Sequence, residues 1–286
     1  MSGTLVIARA TLGELTRRRV VVIVAALTLA FLALFELANQ VAFHNIAGGR
    51  TESGGVPVDQ RTLAGASLVG LGMFADLFLG AVLAVFLTMS AVRGDAEQGL
   101  MQPLVVREPG RAAFLAGRIV AAAGMSGLYT FGMYLACVGI TGQAGGWWPD
   151  DVVLPGLALM LAVIVLAAMS LLGSVFLSAI PNGIALLMVY GAGLVGGLLG
   201  QIGYALPSQR LQDIGRDVSW ALPFDALYQA GLHALTSNTA GLTGVIVHLG
   251  PLGGAQAAGP GLAVWALAYL ALVLAAAGYA FAQRDL

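Results

Sequence analysis

Asp76 is the residue of this sequence whose position most needs a chemical explanation. It stands in Gly72-Met73-Phe74-Ala75-Asp76-Leu77-Phe78, inside a long apolar run. An ionisable group near the centre of a membrane-spanning helix costs roughly 2.5–3.5 kcal/mol unless it is paired, hydrated or protonated. Three roles are open: a group lining a translocation pathway, a structural hydrogen bond to a neighbouring span, or a position nearer the surface if the span is displaced along its apolar stretch. Glu36, in Leu34-Phe35-Glu36-Leu37, lies near the end of another run. There, snorkelling to the interface competes with a rim contact for substrate or for a twin subunit.

Other chemistries lack their residues. His44, His233 and His248 are isolated, and Cys137 is the one cysteine, so neither an internal disulfide nor a cysteine-cluster metal site is available. Gly124-Met125-Ser126-Gly127 is too short for a nucleophile elbow. Gly191-x-Gly193-x-x-Gly196 matches a dinucleotide fingerprint in form only, because that motif needs a preceding strand and a helix N-terminus. The spacings Gly193-x-x-x-Gly197 and Gly196-x-x-x-Gly200 instead allow close helix approach, between two subunits or within one. All 13 basic residues are arginine. Without lysine the chain can form neither a P-loop nor a lysine Schiff base. If ATP is used, a partner must bind it. A net charge of −1 argues against nucleic acid as a partner.

These residues must be positioned by membrane helices. The chain of 286 residues is 59% hydrophobic and 9% charged, against roughly 25% charged in soluble domains. Its mean hydropathy is +0.90. The expected fold is all-α, a polytopic single transmembrane domain over 1–286, with spans at 20–41, 63–92, 119–140, 154–180, 184–202 and 262–281. The first reads as an uncleaved signal anchor. Pro181-Asn182-Gly183 is expected to break the fourth span from the fifth. Residues 1–19 read as an amphipathic interfacial helix with Leu5, Ala8, Leu12 and Leu15 on one face, or as a basic topogenic flank. Arginines concentrate at the N-terminus, in the loop after the second span and at Arg284, which puts both termini in the cytoplasm. Trp147 and Trp148 suit the outer interface. The segment 203–261 is then extracytoplasmic. It contains a helical stripe (Phe224, Leu227, Tyr228, Gly231, Leu232, Leu235) and a shorter one (Leu242, Val245, Ile246, Leu249), expected to cap the bundle or lie on the membrane.

The loop 93–118 mixes both charge signs with apolar residues. Such a protrusion suits docking to another protein, or is a solvated loop whose arginines only set topology. Its pattern of Glu97, Gly99, Leu104, Pro109, Arg111, Gly117 and Arg118 resembles the coupling segment of type-2 ATP-binding-cassette permeases, also called type V exporters. The family commonly has Thr where this chain has Leu100, and Pro103 is extra. The ending Phe281-Ala282-Gln283-Arg284-Asp285-Leu286 is similar to the family's Phe-x-x-Arg-Asp-apolar terminus. The resemblance implies a bacterial inner-membrane permease subunit that is not itself an enzyme. It implies a dimer of two such subunits, with ATP and Mg held on separate ATPase subunits. Coupling would run through Arg93, Asp95, Glu97, Gly99, Leu100, Leu104, Arg107 and Arg111. Asp76 would touch the pathway, and Gly193, Gly196, Gly197 and Gly200 would pack the dimer. The alternatives are a family branch that assists maturation of an extracytoplasmic metalloenzyme, and a stand-alone secondary carrier using Asp76 for proton coupling. The substrate is not legible.

Overall fold

The computed structural model describes residues 19–46, 51–53, 56–89, 111–235, 237, 259 and 261–283. Its helices are α1 (Arg19–Asn45), α2 (Gln60–Thr88), α3 (Arg111–Gly145), α4 (Val153–Phe176), α5 (Ala179–Ala205), α6 (Gln209–Ala221), α7 (Pro223–Ala234) and α8 (Gly261–Ala282). A small antiparallel hairpin, β1 (Thr51–Ser53) with β2 (Val56–Val58), precedes α2. Helices α1 to α5 and α8 are the six long and apolar enough to cross a membrane. The all-α, polytopic class expected from composition is the class observed.

Helix α4 is the centre. It carries no charged residue, and Leu159, Ala162, Val163, Leu166 and Ala167 are buried. It contacts α2, α3, α5, α7 and α8. Helices α1 and α8 lie at the periphery and leave Leu29, Leu34, Val264 and Leu267 exposed. That surface is stable only against lipid or another protein. Close packing uses aromatic rings over missing side chains: a Cβ at Gly65 would strike the Trp147 ring, and one at Gly156 would sit 2.8 Å from Tyr134.

Several boundaries differ from expectation. Helix α2 starts three residues early because Asp59 caps it, Oδ1 accepting from the Arg61 amide at 3.0 Å and the Thr62 amide at 3.4 Å. Helix α3 begins at Arg111, so the segment 93–118 is not loop to its end, and Arg111 and Arg118 are helical. The turn between α4 and α5 falls at Leu177-Ser178, not at Pro181-Asn182-Gly183. Proline is tolerated in a helix's first turn, where its missing N–H leaves no bond unmade. Asn182 is used instead as a clamp, Nδ2 donating to the carbonyls of Ser170 at 2.9 Å and Met89 at 3.3 Å.

The largest correction concerns 203–261. Its described helices neither cap the bundle nor lie across it. Helix α6 folds back along α5: Gly203 meets Gln212, Gly200 meets Gly215, Gly196 meets Val218 and Gly193 meets Phe224. Helix α7 then packs chiefly against α4, where Gly231 meets Pro155, and touches α2, with Phe74 edge-on to Tyr228, Gly231 against Met73 and Leu232 over Gly70. The Asp150 amide finally donates to the Leu235 carbonyl at 3.0 Å. From Gly193 to the end of α5 is about 18 Å at 1.5 Å per residue. The tip of the α6–α7 hairpin therefore reaches about mid-depth of the bundle. The second stripe (Leu242, Val245, Ile246, Leu249) lies outside the described residues.

Candidate functional site

Two places in the bundle gather polar groups. The first surrounds Asp76, which is wholly buried, with no hydrogen-bond partner for either Oδ1 or Oδ2. Gly72 and Gly80 stand one turn before and after it on the same face of α2. A Cβ at Gly72 would lie 3.0 Å from Cys137 Sγ, and one at Gly80 would lie 2.6 Å from Thr130 Oγ1. The two glycines thus let α3 close against the carboxyl-bearing face.

Helix α3 answers with a polar row. Ser126, Thr130, Tyr134, Cys137 and Thr141 recur at steps of four, four, three and four, and every one is fully buried. Ser126 Oγ donates to the Ala122 carbonyl at 2.8 Å. The hydroxyls of Thr130, Tyr134 and Thr141 have no partner. Helix α1 runs parallel to α3, joined by the Thr28–Tyr129 hydroxyl bond at 2.6 Å near one end and by Phe43 against Gly145 near the other. That register sets Asn39 level with Thr141. Asn39 Nδ2 donates to the Phe35 carbonyl at 2.8 Å, and its Oδ1 is unpartnered. Buried polar atoms therefore run along one face of α3, with Thr130 and Cys137 against the α2 glycines and Tyr134 against Gly156 of α4. The sequence reading singled out Asp76 and missed the row. Small polar residues at helical spacing within an apolar span were the available signal.

The second place is the α6–α7 hairpin. Asp225 is buried at the start of α7 and accepts from Gln229 Nε2 at 2.6 Å. A Cβ at Gly197 would fall on that carboxyl group. Burial pushes the Asp225 carboxyl up, to about 7, against the smaller opposing effect of the Gln229 bond. An open cavity of about 440 Å³ lies between the hairpin and α8, lined among others by Gln212, Arg216, Trp220, Gln229 and Trp265. Trp265 Nε1 donates to the Trp220 carbonyl at 3.0 Å, and the two indoles meet edge to face. Helix α6 is exposed at Arg210, Asp213, Arg216 and Asp217, with an Arg216–Asp213 ion pair.

Gly193, Gly196, Gly197 and Gly200 all have partners within the chain, in α6 and α7. The face expected to meet a second copy is filled by the chain's own hairpin, and packing within one chain is what these glycines serve here. Glu36 accepts from Gln40 Nε2 at 2.7 Å near the end of α1. Of the coupling residues, Arg93, Asp95, Glu97, Gly99, Leu100, Leu104 and Arg107 lie outside the described residues, and Arg111 opens α3. Residues 1–18 and the terminal Arg284-Asp285-Leu286 lie outside them as well. Among the described residues, no group of three or more His, Cys, Asp or Glu side chains is placed to hold a metal. Compared with known protein families and with curated proteins, the chain matches none.

Proposed function

We propose that this chain is the membrane-spanning permease subunit of an ATP-driven exporter. A separate ATP-binding-cassette subunit binds ATP and Mg, and its closure drives cargo outward. The observation that carries the reading is the exposed charged face of α6. Arg210, Asp213, Arg216 and Asp217 are exposed on a helix lodged beside the last three turns of a spanning helix. Charges at that depth are too costly against lipid. They need water, and a water-filled recess in one half of the bundle is what an outward-opening pathway requires. The absence of lysine agrees, since ATP must then be bound elsewhere.

The test begins with co-purification of the chain with a candidate ATP-binding-cassette subunit. Glu97→Ala combined with Gly99→Leu is expected to leave the six-span chain in the membrane. ATPase pairing and nucleotide-driven transport should both fall by about tenfold or more, as for loss of an interface hot spot. Unchanged pairing and transport would remove the coupling assignment. Cargo movement in vesicles holding the chain alone would replace the whole reading with a stand-alone carrier.

A second copy completes the pathway, through the face of α5 that the hairpin leaves open. Ile184, Met188, Val195, Leu198 and Ile202 are exposed there, and a Cβ at Gly191 meets nothing within 4 Å. Their steps of four, three, four, three and four are the spacing of a helix–helix seam. Val195→Cys, in a chain whose own Cys137 is buried, is expected to give a disulfide dimer on mild oxidation, whereas Leu29→Cys on the exposed face of α1 is not. Equal cross-linking at both positions would argue against an α5 seam.

A further inference from the structure

We propose that Asp76 holds one exchangeable monovalent cation, a proton or a sodium ion, inside a single copy of the chain. The proposal stands on the packing of one chain and is independent of the ATPase reading. A buried carboxyl group with both oxygens unbonded is costly in any ionised state that lacks a counter-charge. The groups packed around it provide none. From α3 come Thr130, Cys137 and Tyr129, whose hydroxyl is shared with Thr28. From α1 comes Phe35, against Gly72, and from α4 Val163, against Gly80.

The charge count selects the occupant. One carboxylate is neutralised by one positive charge, whereas a divalent ion would leave a surplus buried charge. The donor set is hard. The Asp76 oxygens and, one turn along at Gly80, Thr130 Oγ1 are unpartnered, and oxygen donors suit a proton or an alkali ion over a thiophilic metal. Ser126 and Thr130 on one side of Asp76, and Cys137 and Thr141 on the other, continue the buried polar face along α3.

The test uses the full chain in lipid nanodiscs and infrared difference spectra of wild type minus Asp76→Asn, a near-isosteric change. Spectra are taken across pH in choline chloride, then with sodium chloride in its place. A protonated-carboxyl band unique to wild type that disappears as pH rises identifies the proton. A band that disappears at constant pH when sodium replaces choline identifies sodium, and labelled sodium should then bind at about one per chain and about tenfold less tightly to Asp76→Asn. Thr130→Val, which keeps the volume and removes the hydroxyl, should shift the midpoint of either change by about tenfold. A carboxyl band that answers to neither pH nor sodium, a carboxylate band with no sodium bound, or a midpoint unmoved by Thr130→Val would each overturn the site.

Discussion

Gly215→Leu is expected to pull α6 away from α5 and, under the exporter function proposed above, to abolish export. A Cβ at this position would come within 2.5 Å of the Gly200 Cα and 2.8 Å of the Gly200 amide nitrogen. The obstacle is backbone, so no rotamer change relieves it. Overpacking typically costs about 1–3 kcal/mol and occasionally more, and an unyielding opponent places this case at the upper end. Separation of the helices would also expose the Asp225–Gln229 pair and undo the Trp220–Trp265 brace. Limited proteolysis of the chain in nanodiscs should show new cleavage between 209 and 234, with vesicle transport lost in parallel. Gly139→Ala, whose Cβ meets nothing within 4 Å, is the matched control and should behave as wild type. Wild-type protection of the hairpin in Gly215→Leu would contradict the backbone contact.

The second large effect is a loss of stability with rising pH. The Asp225 carboxyl group has a reference value of 3.8, and in the folded chain burial lifts it to about 7. Between those values the folded chain binds a proton that the unfolded chain has released. The native state therefore binds the excess protons, and stability must fall as pH rises through that interval. The contribution is complete at about pH 4 and gone above about 7. At about 1.36 kcal/mol per unit it amounts to a few kcal/mol. Asp225→Asn preserves the shape and removes the proton. Melting of wild type should drop between pH 5 and pH 8 by several degrees more than melting of Asp225→Asn. Parallel pH profiles would show that Asp225 is charged or hydrated in the fold.

The six spans were legible because they depend on composition alone: a window without charge is apolar whatever it packs against. Their ends were not. Pro181 looks like a break, yet a first helical turn accepts proline, and which residue begins that turn is decided by Asn182 reaching the Ser170 and Met89 carbonyls. Helix α6 was missed altogether. Its sequence, Gln209-Arg-Leu-Gln-Asp-Ile-Gly-Arg-Asp-Val-Ser-Trp-Ala221, is polar, and only the glycines of α5 give its Gly215 and Val218 something to pack against. The glycine spacings of α5 were read correctly as close-approach surfaces, but a spacing does not say whose helix approaches. At the candidate site, Asp76 announced itself as a charge in an apolar run. The α3 row did not, because serine, threonine and cysteine are unremarkable in a membrane helix until their common face is seen to be sealed.

The polarity of α6 also constrains how the molecule is made. Insertion machinery sorts segments by hydrophobicity as they emerge, and a 13-residue helix carrying Arg210, Asp213, Arg216 and Asp217 has no reason to partition into lipid. This stretch must first be left in water beyond the end of α5 while α5 and α8 are released into the bilayer. Only afterwards can it swing back into the slot that the α5 glycines keep open. Biogenesis therefore ends with a docking event, and a newborn chain that has inserted all six of its apolar helices is still unfinished.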